Sequence, residues 1–326
     1  MRQLQRMAHH LGAVLMAACF GSGSALAQAP YPNRPIELII GFPPGTVADT
    51  LARLYASNLQ LGQPVVVKAL SGAAGNIAAR AVAKANPDGH TVLLAGNASI
   101  VVNQSLYESL PYDPEKDLVP VSQLAMAPNV LVIHPDVPAQ TVQELAAYAR
   151  ARPDALSYAH AGLGISQHLA AELFKQMAGI EMLAVGYRGG PDIYSDLLAG
   201  RVKLCFCNIV SAMPFVREGK LRALAITSTS RSTAAPDLPT MHESGFPGFE
   251  AVAWFGLMVP AGTPPSIVET LHRETVRALA AEELRAKFAA LGMTPIGNSP
   301  AEFTAAIKSE IPYWDKVIKT LGLKLQ

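Results

Sequence analysis

Ile36-Glu37-Leu38-Ile39-Ile40-Gly41-Phe42-Pro43-Pro44-Gly45-Thr46-Val47-Ala48-Asp49 is the stretch on which the fold turns. A short β-rich run enters a Gly/Pro turn, and from residue 49 to 59 Leu51, Leu54, Tyr55 and Leu59 recur at helical spacing. Strand, glycine turn and helix in that order make the repeating unit of an α/β protein. Further β-rich runs stand at 65–67, 91–95, 130–133, 156–159, 182–185, 202–206, 221–227 and 256–259. Most are continuously apolar, the pattern of strands buried on both faces of a largely parallel sheet. Between them lie amphipathic stretches such as 166–178, which carries Leu169, Leu173, Phe174 and Met177 and stops at Gly179. From Pro264 onward the pattern is helical only, at 266–280, 281–291 and 299–321.

The turns that follow the strands carry the functional signal. Besides Gly41 to Asp49 they are Ser71-Gly72-Ala73-Ala74-Gly75-Asn76, Gly162-Leu163-Gly164-Ile165-Ser166 and Tyr187-Arg188-Gly189-Gly190-Pro191-Asp192. Glycine lets a ligand approach the backbone, and the unpaired N–H groups of a helix's first turn favour an anion. In open α/β sheets such loops lie at the carboxyl ends of strands, where ligands bind. A Gly-rich turn can equally do no more than cap a helix, but four in one chain favour a site. Asp49 suits the dipole of its helix as well as it suits a ligand. Arg188 offers a fork for a carboxylate, or a surface ion pair. His168, in a helix's first turn, reads as a packed histidine before a ligand or a base. Tyr187 and Phe42 can line a pocket or cover their own domain, and Trp254 can be core.

The N-terminus sets the compartment. Arg2 and Arg6 precede an apolar stretch from Leu11 to Phe20 and small residues ending in Ala25-Leu26-Ala27, the layout of a secretory signal peptide (1–27) cleaved after Ala27. The apolar stretch falls short of the roughly 20 residues that span a bilayer. Cys19 after Met16-Ala17-Ala18 offers a poorer, lipoprotein-like cleavage site. Removing 1–27 takes two arginines and no acids, so 24 basic face 25 acidic side chains in a periplasmic mature protein, and the charge goes from +1 to −1. Such a balance favours neither nucleic acid nor an anionic membrane. The mature length calls for two domains, and no later run is long enough to span a membrane.

Enzyme readings find little support. Gly162-Leu163-Gly164 begins a dinucleotide fingerprint, but Gln167 stands where its third glycine belongs. Ser166 and His168, two apart on one helix, point in different directions, and no Gly-x-Ser-x-Gly elbow exists. A secreted hydrolase using Ser166, His168 or Cys207 is the remote alternative. CxxC, HExxH and Cys/His clusters are absent, so neither a metal nor a cofactor is expected. Cys205 and Cys207 fall on one face of a strand at a spacing poorly suited to a bridge, and are expected as buried free thiols.

With these residues in view the chain resembles the Bug family of extracytoplasmic solute receptors, the receptors of tripartite tricarboxylate transporters. The resemblance covers essentially the whole mature chain. It rests on Tyr31-Pro32-x-Arg34-Pro35-Ile36, Phe42-Pro43-Pro44-Gly45 with Asp49, Leu61-Gly62-Gln63-Pro64-Val65-Val66-Val67, Gly75-Asn76-Ile77, Pro87-Asp88-Gly89 and Leu110-Pro111-Tyr112-Asp113-Pro114. His168-Leu169-Ala170, Tyr187-Arg188-Gly189, Pro260-Ala261-Gly262-Thr263-Pro264 and Trp314 follow in order.

The resemblance implies a type II periplasmic-binding-protein fold, two mixed-sheet α/β domains with a ligand cleft between them. Residues 28–126 plus 253–326 would form domain 1 with a helical C-terminus, and 127–252 domain 2. The crossings would lie near 125–128 and 250–253. It implies a receptor that closes on a small carboxylate and delivers it to membrane transporter subunits, or reports its loaded state to a sensor protein; apart from the resemblance, a monomer is expected. The carried-over ligand positions are Phe42, Gly45, Thr46, Val47, Asp49, Ala74, Gly75, Asn76, Gly162, Gly164, Ile165, Ser166, His168, Tyr187, Arg188, Gly189, Cys207 and Asn208. Departures from the family pattern at Thr46, Val47, Ala48, Leu163, Ile165 and Cys207 each remove a polar group or glycine from the expected pocket. A polar acid such as citrate or an amino acid would leave partners unsatisfied there, so a more apolar acid, aromatic or medium-chain, is expected.

Overall fold

A computed structural model describes residues 31–325, so the expected signal peptide and cleavage site lie outside the described residues. The short lead 31–33 carries a cis Tyr31–Pro32 peptide. From Arg34 the chain forms one compact unit containing two sheets.

In chain order, β1 (Ile36–Ile40), β2 (Val65–Ala69), β3 (Thr91–Gly96) and β4 (Leu118–Ala127) belong to the first sheet. Then β5 (Asn129–Ile133), β6 (Ser157–His160), β7 (Leu183–Gly186), β8 (Leu204–Asn208) and β9 (Arg222–Ile226) build the second. The chain returns to the first sheet with β10 (Ala253–Pro260) and β11 (Thr294–Pro295). The first sheet has the order β11-β4-β10-β3-β1-β2 and the second β7-β6-β8-β5-β9. Both are mixed: β1, β2 and β3 run parallel with β10 antiparallel beside β3, and β6, β7 and β8 run parallel with β5 antiparallel beside β8.

This topology orients the two sheets' loops. Phe255 at the start of β10 pairs with Gly96 at the end of β3, and Ala253 with Ala127 at the end of β4. Asn129, opening β5, pairs with Asn208 at the end of β8. Both passages between the sheets therefore leave and arrive at the carboxyl ends of the parallel strands. The loops that follow β1, β2 and β3 share this side with those that follow β6, β7 and β8.

The helices are α1 (Val47–Asn58), α2 (Asn76–Ala83), α3 (Asn103–Leu106), α4 (Pro114–Asp117), α5 (Val142–Ala151), α6 (Ser166–Ala178), α7 (Gly190–Leu198), α8 (Ile209–Arg217), α9 (Pro265–Ala280), α10 (Glu282–Ala290) and α11 (Pro300–Thr320), with a π-turn over Ala98–Val102. In α6 the stripe Leu169, Ala170, Leu173 and Phe174 is buried, and Gly179 ends it in the left-handed region at φ 61° while the Ile180 N–H closes on Lys175 O. Phe174 meets Phe206 and Phe246 edge-on at 6.1 and 5.3 Å. On the first sheet Phe303 of α11 lies against Gly256 so closely that a Cβ there would meet its ring at 2.3 Å, and it packs edge-on to Trp254 at 5.1 Å. Burying each such aromatic stabilises the fold by about 2–3 kcal/mol.

Three expectations need correction. Cys205 and Cys207 form a disulfide instead of two free thiols: same-face residues on an extended strand lie about 6.6 Å apart, but here the Cα atoms draw in to 5.3 Å, within bridging range. The C-terminal region is not purely helical, because Thr294–Pro295 adds β11 to β4. The apolar runs at 65–67 and 182–185 are not buried on both faces: β2 and β7 are edge strands, and Leu183 is 69% exposed.

Candidate carboxylate site

Five helices start in the facing loops, and their caps separate them. Thr46 accepts the Asp49 N–H at the start of α1, and Asn208 accepts the Val210 and Ser211 N–H groups at the start of α8, so both ends satisfy themselves. By contrast α2 follows Gly75, α6 follows Ile165 and α7 follows Gly189, none of which supplies a side-chain cap. Their first-turn amides are the natural donors for an anion, each end worth about 0.3–1 kcal/mol and up to about 2 when partly buried.

The loop after β1 is closed on itself. The carboxylate of Asp49 accepts the Gly45 N–H at 3.0 Å and pairs with Arg53 at 2.9 Å. The Arg53 bond holds its carboxyl below the usual range, so Asp49 stays charged where a bound anion would be repelled. Phe42 packs edge-on to Phe255 at 5.7 Å, and its ring would meet a Cβ on Gly96 at 3.0 Å; Val47, at the start of α1, is half-buried. Gly75 reaches this loop directly, because a Cβ on Gly41 would lie 2.6 Å from the Gly75 Cα. Before α2, Ala73 and Ala74 hold positive φ of 46° and 50°, which costs an L-residue about 1–2 kcal/mol each. Asn76 is buried, and its Oδ1 accepts from Asn103 Nδ2 at 2.7 Å and Tyr112 Oη at 2.8 Å.

The loop after β6 is held from behind. Gly162 N–H donates to His160 Nδ1 at 3.2 Å, Gly164 N–H to His168 Nδ1 at 3.4 Å, and Ala161 N–H to Gln167 Oε1 at 3.1 Å. Ser166 Oγ accepts from Asn129 Nδ2 at 3.0 Å, which ties α6 to the first passage between the sheets. Gly164, at φ 77°, seats on the first sheet's helices: a Cβ would come 2.6 Å from Leu106 Cδ2 and 3.3 Å from Asn103 Oδ1. Gly292 makes the reciprocal contact from the first sheet, its would-be Cβ 2.6 Å from Ile209 and Val210.

Tyr187, Arg188 and Gly189 precede α7. Tyr187 is tied to Asp196 at 2.9 Å, whereas Arg188 is exposed. They border an open depression of about 380 Å³ whose wall includes Asp192 and Asp196, unfavourable company for an anion. Cys207 is buried and its sulfur is spent on Cys205, so only Asn208 beyond it reaches a helix start.

The residues brought together are thus Phe42, Gly45, Thr46, Val47 and Asp49 with Ala74, Gly75 and Asn76 on one sheet, and Gly162, Gly164, Ile165, Ser166 and His168 on the other. Sequence reasoning missed His160, Asn103, Tyr112 and Asn129, which hold the loops in place. A histidine at a strand end, two residues before a glycine, was the one available signal; the others depend on contacts distant in sequence.

The family model described as the tripartite tricarboxylate transporter family receptor matches residues 51–323. Protein BugT of Bordetella pertussis is 40% identical over 315 residues, 96% of this chain and 97% of that protein. Among solved structures, R. palustris Rpa4515 with adipate superposes at TM-score 0.82 with 38% identity, covering 90% of this chain and all of the other. MatC from Rhodopseudomonas palustris with bound malate gives 0.78 with 33% identity, covering 88% and 100%. The structure of periplasmic binding protein BugD gives 0.80 with 33% identity, covering 90% and 100%. The fold is that of the two-domain periplasmic binding proteins. Two mixed sheets with uncapped helix starts on a shared side, a family match over most of the chain and relatives matched over nearly their full length place the chain in the tripartite tricarboxylate transporter receptor family, whose members are solute-binding receptors and not enzymes.

Proposed function

We propose that this protein is a periplasmic receptor that captures a small, relatively apolar organic carboxylate between its two sheets and hands it to transporter subunits in the membrane. The observation that carries the reading is that, of the three uncapped helix starts at Gly75, Ile165 and Gly189, the first two open on opposite sheets, on the side where the chain passes between them and away from the acidic depression beside α7. Two of them on opposite sheets can take the two ends of a dicarboxylate. Phe42, Val47, Leu163 and Ile165 supply apolar surface near the middle, which favours methylene groups over hydroxyls. The adipate found with the R. palustris relative is an acid of that kind. Residues 28–126 with 253–326 act as one domain and 127–252 as the other, closing over the ligand as the equilibrium shifts.

A thermal-shift panel of aliphatic, aromatic and hydroxy-carboxylates on refolded, ligand-free protein tests this. A ligand at a hundred times its Kd stabilises by about 2.7 kcal/mol, which moves the midpoint by several degrees. The expected response is largest for adipate-like or aromatic acids and small for citrate. A response to citrate alone, or to no carboxylate, contradicts the reading.

A further inference from the structure

Behind the loop after β6 lies a cluster of titratable groups that carboxylate capture does not itself require. His160 ends β6 and His168 stands in the first turn of α6, 5% and 3% exposed, with rings 5.0 Å apart and edge-on. Tyr158 sits within 5.9 and 6.3 Å of the two rings and donates to Glu172 Oε1 at 2.5 Å. Lys175 binds both oxygens of Glu172 at 3.1 Å and reaches Glu181 at 3.7 Å. From β7 Gly186 lies against the His160 ring, and from the first sheet the nearest atoms to a Cβ built on Gly164 belong to Leu106, Asn103 and Val102, none of them titratable.

Each imidazole uses Nδ1 as an acceptor for a loop amide, Gly162 for His160 and Gly164 for His168. An accepting Nδ1 carries no proton, so both rings are the neutral Nε2–H tautomer. Protonation would set an N–H against an N–H at both points. We propose that His160 and His168 are positioning residues for the carboxylate-binding loop, a neutral pair that clamps Gly162 and Gly164 and releases the loop, and with it the ligand, when it takes up protons. The inference rests on the receptor reading only for the loop's role; the clamp itself is a property of the free protein.

The electrostatics agree. Burial pushes both imidazoles below the ordinary histidine value, and His168 falls to about 4 with His160 adding to the shift. Glu172 opposes it and Lys175 reinforces it at His168. A clamped loop resists protonation, whereas a released loop restores ordinary histidines; acid between the two values therefore favours release. Asn103 Oδ1, buried and without a hydrogen-bond partner, faces Gly164 from the first sheet but takes no bond from it, so His168 Nδ1 is the acceptor that holds the Gly164 amide.

The test compares wild type with H160N/H168N, in which neutral amide oxygens replace the accepting Nδ1 atoms, and with H160A/H168A. Amide exchange and ¹⁵N shifts of Gly162 and Gly164 in ligand-free protein read the clamp between pH 7.5 and 4.5. Protection that wild type loses on acidification, the Asn pair keeps and the Ala pair lacks at every pH is the expected result. Adipate titrations of wild type and the Asn pair then cancel the acid's own protonation. Measured against its own affinity at pH 7.5, wild type is expected to lose about tenfold more affinity than the Asn pair on going to pH 5. Gly162 and Gly164 amides that ignore pH and sequence alike would overturn the proposal, as would parallel adipate profiles. Clamp behaviour as expected with no adipate binding at any pH would leave the clamp standing and count against the adipate-like ligand.

Discussion

Glu310 offers a sharp quantitative prediction. It projects from α11 to the start of β10, where the Trp254 indole N–H is shared between its two carboxylate oxygens at 2.9 and 3.0 Å. Burial pushes its carboxyl up to about 7, with the charge of Glu250 adding to the rise and the indole bond opposing it. A raised acid binds its proton more tightly in the native state, so Glu310 favours folding below its unfolded value of 4.5, and this contribution is lost as pH rises through 7. The rise from 4.5 to about 7, at about 1.4 kcal/mol per pH unit, sets an upper bound of about 3.5 kcal/mol, reduced by water because the residue is only half-buried. Glu310→Gln keeps an oxygen for the indole and removes the charge. Urea unfolding followed by tryptophan fluorescence should show equal stability for the two proteins at pH 4.5 and a variant more stable by up to about 3 kcal/mol at pH 8. The histidine pair titrates in both proteins and cancels in the difference. Stability differences that do not vary with pH, or a variant weaker at pH 8, would refute the assigned environment.

Gly164→Ala should cost about 1–2 kcal/mol for its left-handed φ of 77° and, because its Cβ would strike Leu106, should also weaken carboxylate binding, read by thermal unfolding and calorimetric titration. Removing the α8 cap with Asn208→Ala should cost about 1 kcal/mol, seen as a lower urea midpoint at unchanged slope. A thiol titration of the unfolded, unreduced mature protein should find Cys205 and Cys207 unreactive until a reductant is added; reactive thiols at the outset would contradict the bridge.

Much of the architecture was written locally. The strand at β1, its Gly/Pro turn and the helix α6 follow from periodicity and from glycine at their ends, so sequence and structure agree there almost to the residue. What escaped depends on pairing between distant segments. β4 was not read as a strand because Pro120, Ser122 and Gln123 interrupt it; register shifts absorb the irregularity, and Asn298 partners Ser122 and Gln123. The antiparallel return of β10 and β5, which turns both sets of loops to one side, is invisible in either strand alone. At the site, glycine-rich turns marked the loops, but which helix ends are capped was legible only in part. Thr46 and Asn208 occupy cap positions by type, whereas the inward use of the Gly162 and Gly164 amides depends on where His160 and His168 come to rest. The Cys205–Cys207 bridge escaped because an average strand holds same-face residues at the far end of the bridging range, and the local contraction to 5.3 Å is not written in the sequence.

The most direct test of the central claim is a titration of ¹⁵N-labelled, refolded protein with adipate, or with whichever acid of the panel gives the largest thermal shift. Saturable shifts are expected at the amides of Asn76 and Ile77 on one sheet and of Ser166, Gln167 and His168 on the other, appearing together with a single affinity. Shifts confined to one sheet, or to the open depression beside Tyr187 and Asp196, would contradict it.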